Sequence, residues 1–381
     1  MNPEKIIPSF NVFASYVFVA LSHLKIFKNT HSSWTTRIID TCITTSLLTA
    51  TFLLIVSEAI DVQNSYDLPS FAARFNPLLF HLLGFVKWTY CLTHHAEIEQ
   101  LIISVELCHA MGQKIDRTDK DKDRYRMKME KFQKSSTMFV NLWLLVCVFG
   151  VVQWCMNPII YDLYNDLYGI GAYNILSITF IIYSCIHLEY LSETLSISED
   201  RISSREIARK ENAFDNKLKH CVQHHNQILE VFARTTTITS FPMLVQCLDT
   251  IINLCLVSLE ASTTEINSSV ECIMKLLSTA EYWSGINFEL FFYCYFATRI
   301  REMGIQISDA FYHCNWEQYI GTHESSALRT NKMVTIGIMN AQKPLEIIAG
   351  PFCVLSLETF RALTSMSLSN ALILRQLSNQ D

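Results

Sequence analysis

Apolar positions along the 381-residue chain gather in long runs instead of alternating with polar ones. A helix rising 1.5 Å per residue needs about 20 mostly apolar residues to cross about 30 Å of hydrocarbon. Seven runs approach that length: Ile38–Ser57, Phe75–Thr93, Thr137–Cys155, Ala172–Leu191, Ser240–Leu259, Ala280–Thr298 and Pro344–Leu374. Backbone polar groups in lipid must be satisfied within the segment, so runs of this length predict spanning helices and not barrel strands. The last run is the longest and is interrupted by Gly350–Pro351. Within a shorter stretch, Pro8–Phe27, the segment Phe10–Leu21 imitates a signal-peptide core. The polar segment Lys25–Arg37 behind it offers no small-residue cleavage site, so it reads as a helix at the inner leaflet.

The polar positions between the runs differ sharply in charge. His94–Ser136 carries Lys114, Arg117, Lys120, Lys122, Arg124, Arg126, Lys128, Lys131 and Lys134. The segment before the fifth run carries Arg201, Arg205, Arg209, Lys210, Lys217, Lys219 and Arg234, and the one before the seventh carries Arg299, Arg301, Arg329 and Lys332. The alternate loops, Glu58–Ser70, Met156–Gly171 and Glu260–Ser269, hold no Lys or Arg. Basic segments stay cytoplasmic, which predicts an inside N-terminus and an outside C-terminus. The sequon at Asn267-Ser268-Ser269 falls in a predicted outside loop, as a glycan at Asn267 requires. His187–Thr235 and Ile98–Gln133 are charged yet nearly free of helix breakers, which predicts a cytoplasmic helical layer.

Composition narrows the class further. Half the residues are hydrophobic (50%), 17% are charged, and the mean hydropathy is +0.21. A large soluble α-protein needs more charge than that to cover its core. The net charge of −6 excludes a nucleic-acid partner of ordinary type. The 13 Cys residues stand singly, as small packing residues do, though Cys155 and Cys272 both fall near the outer face. No nucleotide loop, nucleophile elbow or H-E-x-x-H motif is present, so no enzyme activity and no cofactor are expected. His94-His95 and His224-His225 are adjacent pairs whose side chains diverge by about 100° on a helix, a poor two-ligand metal arrangement. They read as solvated or packing residues, and no metal is expected. Asp249, Glu289 and Glu358 lie in or near spans, where a carboxyl group either bonds to a neighbouring helix or lines an ion path.

Near the C-terminus, Tyr293-Cys294-Tyr295-Phe296 followed by Ala297 resembles the Tyr-Cys-Tyr-Phe-Gly motif of the insect odorant receptor family, with Ala297 in place of Gly. Ser308, Ala310-Phe311-Tyr312 and Trp316 are similar to its Ser…Ala-x-Tyr…Trp stretch. Gln342-Lys343-Pro344-Leu345 with Ala349-Gly350, then Ser356-Leu357-Glu358-Thr359-Phe360 and Leu374-Arg375-Gln376, complete the pattern. Leu368, Asn370 and Ala371 depart from it. The resemblance implies an all-α membrane protein of seven helices, N-terminus in and C-terminus out, with a cytoplasmic anchor layer. It also implies an odorant-binding subunit of a ligand-gated, non-selective cation channel, tetrameric with an odorant co-receptor in the plasma membrane of an olfactory neuron. A gustatory-type receptor is the nearest alternative, but its short Thr-Tyr…Gln-Phe ending is absent. A G-protein-coupled receptor has the opposite orientation, and the N-P-x-x-Y match at 157–161 lies after the third run.

The chain then divides as residues 1–37 (cytoplasmic with a surface helix), 38–298 (spans one to six), 299–343 (anchor) and 344–381 (pore helix and outer tail). With that topology the outer halves of spans two, three, four and six offer a wall for a small volatile hydrophobic ligand. The candidates are Phe71, Phe75 and Leu79; Phe149, Gln153 and Trp154; Tyr173, Thr179 and Phe180; and Thr279, Tyr282 and Ile286. Ile228, Leu229, Phe232, Tyr312 and Trp316 are apolar within polar inside segments, as in a subunit interface. The resemblance places the pore constriction at Ile373, Gln376 and Leu377, which share one helical face.

Overall fold

The computed structural model describes residues 34–115, 124–131, 134–135, 137–138, 141–142, 163–196, 207–263, 270–319 and 324–378. Its helices are α1 (Trp34–Gln63), α2 (Leu68–Thr93), α3 (His95–Ile115), α4 (Leu163–Ser196), α5 (Ile207–Thr263), α6 (Val270–Tyr312), α7 (Glu324–Ala341) and α8 (Leu357–Ser378). Residues 124–131 are also helical, and a 3-10 turn spans Trp316–Tyr319. The Pro8–Phe27 stretch and most of Thr137–Cys155 lie outside the described residues.

Among the described residues, Thr41–Gln63 and Ala213–Ala261 are by themselves long and apolar enough to cross a membrane. In α1 the threonine hydroxyls turn back on the helix, Thr45 donating to the Thr41 carbonyl at 2.8 Å and Thr49 to that of Thr45 at 2.7 Å. That hides their polarity, while Phe52, Leu53 and Ile60 stay exposed for lipid. The helix α2 begins in a capping box: the Ser70 N–H donates to the Asp67 carboxylate at 2.8 Å, and Pro69 sits in the first turn. The other spans mix polar residues into their apolar runs because those residues face one another inside the bundle.

The helices α5 and α6 run for 57 and 43 residues, far longer than a bilayer requires. Their extensions meet α3, α4 and α7 in one continuous core that includes Ile98, Leu101, Tyr190, Ile228, Ile307 and Phe311. Polar clamps fasten this layer. Lys128 Nζ donates to Glu189 and Glu193 at 2.5 and 2.6 Å, and the Tyr183 hydroxyl donates to the Val105 carbonyl at 3.0 Å. Asp215 on α5 accepts from the Arg329 Nε at 2.9 Å and from the Thr330 hydroxyl at 2.6 Å, both on α7.

Two expectations change. The span read as Pro344–Leu374 begins as a helix only at Leu357, because Ile348–Ala349 and Cys353–Val354 pair as a small antiparallel hairpin. Gly350 turns this hairpin at φ 61°, and its N–H donates to the Ser240 carbonyl on α5 at 3.0 Å. A Cβ there would lie 2.6 Å from Leu244, so a glycine is required. The Ser356 hydroxyl then accepts from the Thr359 N–H at 3.1 Å and caps α8, with exposed Glu358 in the favourable first turn. The span read as Ala172–Leu191 is displaced as well. α4 starts at Leu163, and its Tyr183–Glu193 end packs against the basic segments through the Val105 and Lys128 contacts.

Candidate functional site

Two polar layers cross the interior of the bundle. In the first, the Tyr282 hydroxyl on α6 donates to Asn253 Oδ1 on α5 at 3.1 Å and approaches the Asn76 carbonyl on α2 at 3.4 Å. Phe80 meets the Tyr282 ring edge-on at 6.5 Å, and the ring of His81 accompanies Phe80 at 5.8 Å. His81 is held in turn by the Glu58 carboxylate of α1 at 2.8 Å. Phe71 and Phe75 stack at 5.0 Å, and Phe75 packs against Ala72, Leu256 and Leu259. α5 therefore contributes to the aromatic layer, which reading the sequence by outer halves had left out.

The second layer lies 7 residues further along both α5 and α6, about 10 Å deeper at helical rise. Lys87 on α2 is fully buried. An ammonium has three N–H groups, and here they reach Asn174 Oδ1 at 2.8 Å, Glu289 Oε1 at 3.1 Å and, in a short contact, Gln246 Oε1. Asn174 Nδ2 also donates to Glu289 at 2.6 Å, and the Tyr293 hydroxyl donates to Asn174 at 2.9 Å. A charged pair survives at this depth because neutral amides and a phenol complete its hydrogen bonds. Glu289 thus takes the neighbour-bonded role of the two foreseen for it. Lys87 was not singled out in the sequence, although a lysine inside a span was the available signal. Tyr293, first residue of the Tyr-Cys-Tyr-Phe motif, is the phenol of this layer.

These layers sort the sequence candidates. Leu79 and Thr279 are half-buried, and Ile286 is buried. Tyr173 adjoins Asn174 along α4. Thr179 and Phe180 are buried 5 and 6 residues beyond Asn174, toward the end of α4 that meets the basic segments. The displaced start of α4 thus puts them deeper than the Lys87 layer, outside the outer half assigned to them. Phe149, Gln153, Trp154 and Asn267 lie outside the described residues, as does the Cys155 side of the noted cysteine pair.

Of the interface candidates, Ile228 and Phe232 are buried within the subunit, and Leu229 and Trp316 pack against the same core. Tyr312 remains 60% exposed. His224 and His225 are both buried, not solvated, and burial pushes their imidazoles down to about 3 and about 4. At the far end, α8 buries Ser367 and Ala371 while Ile373 and Gln376 point away from the subunit. The backbone of Leu377 continues the same helix.

A family model described as 7tm Odorant receptor matches residues 67–368. Odorant receptor 2a of Drosophila melanogaster is 35% identical over 79 residues, 21% of this chain and 18% of that receptor. Odorant receptor 67c of the same fly is 23% identical over 232 residues, 59% of this chain and 51% of that receptor. The matched stretches thus span about half or less of these relatives. The olfactory receptor OR5 from Machilis hrabei superposes with TM-scores of 0.77 alone and 0.75 in complex with eugenol, at 12% identity. The superpositions cover 97% and 96% of this chain and 99% and 100% of that one. At that identity the likeness is one of fold, a seven-span all-α bundle. Because the family model covers most of its length, the chain belongs to the 7tm odorant receptor family of multi-pass membrane proteins that serve olfaction.

Proposed function

We propose that the chain is the odorant-binding subunit of a ligand-gated, non-selective cation channel, assembled with an odorant co-receptor as a tetramer in the plasma membrane of an olfactory neuron. The observation that carries this reading is the two-sidedness of α8. Successive helical residues turn by about 100°, so Ala371 and Ile373 project to nearly opposite sides. The Ala371 side is buried in the subunit, and the Ile373 and Gln376 side has no cover within it. An apolar residue beside an amide suits a pore that closes by dewetting and offers a polar contact to a passing ion. The charge asymmetry of the loops supports an inside N-terminus.

The ligand site is the aromatic layer around Tyr282, Phe80 and Phe75, and the eugenol complex of the Machilis receptor supports a small, largely apolar occupant. Burying about 250 Å² at ~25 cal/mol/Å² gives roughly 6 kcal/mol before ordering costs. Moving a channel from 1% to 99% open needs about 5.5 kcal/mol of differential binding by the ratio of the two states. The closed state is therefore only modestly favoured, and a resting leak accompanies it. Subunit contact runs through the cytoplasmic layer. Tyr312 is the candidate there that its own subunit leaves uncovered, while Ile228, Leu229, Phe232 and Trp316 shape that surface from within.

The test is current recorded from cells expressing this chain with and without co-receptor. Odorant-evoked cation current is expected only with both, Ile373→Ser should raise the leak, and Gln376→Glu should alter permeability ratios. Wild-type leak and permeability in both variants, at normal surface expression, would remove this face from the pore.

A further inference from the structure

Three soft donor groups from three helices converge below the spans, far from the aromatic layer. Cys108 Sγ of α3 lies 3.6 Å from His187 Nδ1 of α4, and that nitrogen lies 2.9 Å from His224 Nε2 of α5. All three donor atoms fall within 4.8 Å of one another, and all three residues are buried. Among the described residues no other set of three or more His, Cys, Asp or Glu donors converges in this way.

We propose that Cys108, His187 and His224 form a binding site for a soft, closed-shell transition-metal ion, zinc(II) or copper(I), that clamps α3, α4 and α5 together.

The spacing suits such an ion. Bonds of about 2.0 Å to nitrogen and about 2.3 Å to sulfur, at tetrahedral angles, separate two nitrogens by about 3.3 Å and a nitrogen from a sulfur by about 3.5 Å. The Cys108–His187 distance already agrees, the two imidazoles need to part by about 0.4 Å, and Cys108 and His224, within 4.8 Å of each other, close on the ion as it enters. The donor set is equally selective. Thiolate and imidazole favour zinc and copper(I), whereas magnesium and calcium require oxygen, and no carboxylate belongs to this group. On binding, the Cys108 thiol gives up its S–H proton to solvent and the sulfur–metal bond replaces the S–H bond. One thiolate cancels the charge of copper(I) in full and half that of zinc(II).

The surroundings are stiff. The Tyr183 ring lies 4.2 Å from that of His187, and the Tyr125 and Tyr190 rings flank the pair at 6.1 Å from His187 and 6.2 Å from His224. Such a frame fixes the rings and keeps bulk water out, and three protein ligands suit three-coordinate copper(I) or leave zinc(II) one open tetrahedral position. This assignment is independent of the channel reading, because it concerns the cohesion of the layer beneath the membrane.

The experiment uses the full-length receptor purified in detergent without chelators, with metal counted by mass spectrometry and its coordination read by X-ray absorption. About one zinc or copper per chain is expected, with one sulfur and two nitrogen neighbours, and the absorption edge tells the two metals apart. Cys108→Ser together with His224→Gln should cut the bound metal to below about one-tenth of an equivalent in the monodisperse fraction. The wild-type spectrum decides alone if that variant fails to fold. Two results overturn the site. One is less than about one-tenth of an equivalent after incubation with zinc sulfate or with copper(I) under reductant, and the other is a bound metal with no sulfur neighbour.

Discussion

Lys87 of α2 and Glu289 of α6 form an ion pair at 3.1 Å inside the spanning bundle, 202 residues apart in sequence and bridged by Asn174 of α4. With Gln246 of α5, four spans are therefore tied through one carboxylate and one ammonium. Removing one member strands the other charge in a medium that cannot solvate it, at a cost of about 3–5 kcal/mol. Lys87→Met should sharply reduce folded receptor at the surface, and Lys87→Met with Glu289→Gln should recover part of it. Surface labelling and detergent melting curves of the two single variants and the double variant measure the coupling.

The depth order of the two layers predicts different consequences for residues that looked alike in sequence. Tyr282→Phe deletes the hydroxyl bonded to Asn253 in the aromatic layer. It should shift odorant dose–response curves by a factor of about 5–10, the value of one hydrogen bond of roughly 1–1.5 kcal/mol. Phe180→Ala opens a cavity in the deeper core and should cost about 3–5 kcal/mol of stability, lowering current amplitude through receptor number. An altered odorant sensitivity in Phe180→Ala, at unchanged surface density, would contradict this ordering.

Asp215 is buried, whereas the Arg329 side chain that it meets is 58% exposed. The worth of the clamp therefore rests more on the buried Thr330 hydroxyl than on the exposed charge. Asp215→Ala should cost about 1–3 kcal/mol by leaving a buried donor without its acceptor. Arg329→Ala should cost somewhat less, about 1–2 kcal/mol, since solvent screens the guanidinium but its loss leaves the buried Asp215 carboxylate without a counter-charge. Thermal shifts of the purified variants, compared at low and high salt, distinguish the two contributions.

Much of the bundle was legible because lipid imposes a simple rule: a span must be long and apolar, and basic loops stay inside. The runs that rule picked out, Ile38–Ser57, Phe75–Thr93, Ser240–Leu259 and Ala280–Thr298, lie within α1, α2, α5 and α6, although α5 and α6 run well beyond theirs. It failed for α4, whose apolar run extends into the cytoplasmic core, because Ile181–Leu191 are buried by protein and not by lipid, and hydropathy does not tell the two solvents apart. It also failed at Pro344–Ser356, where the run is apolar but Gly350 adopts a positive φ and the backbone pairs with itself and with Ser240. The Lys87 layer and the Cys108 cluster depend on contacts between residues 37 to 202 positions apart, a separation over which periodicity carries no information.

Gly350→Ala tests that hairpin directly. The added methyl imposes a left-handed backbone cost of about 1–2 kcal/mol together with overlap on Leu244. Loss of melting temperature is expected. Leu244→Ala in the same chain should relieve the overlap but not the backbone cost, so the double variant should be less unstable than the sum of the singles. Strict additivity would mean that the hairpin does not press on α5 at that point.

The uninterrupted course of α5 makes one rod of parts that otherwise look separate. Asn253 in the aromatic layer, Gln246 in the ion-pair layer, Ser240 under the hairpin, and His224 and Asp215 in the cytoplasmic core all ride on it. Pro242 lies between the spanning part and the cytoplasmic extension, where a missing N–H weakens the ladder and furnishes a joint. Asp215 is 27 residues from that joint, about 40 Å along the axis, so a tilt of about 5° sweeps it through roughly 3.5 Å. A tilt too small to notice in the aromatic layer would thereby be magnified at Asp215, as at the long arm of a lever.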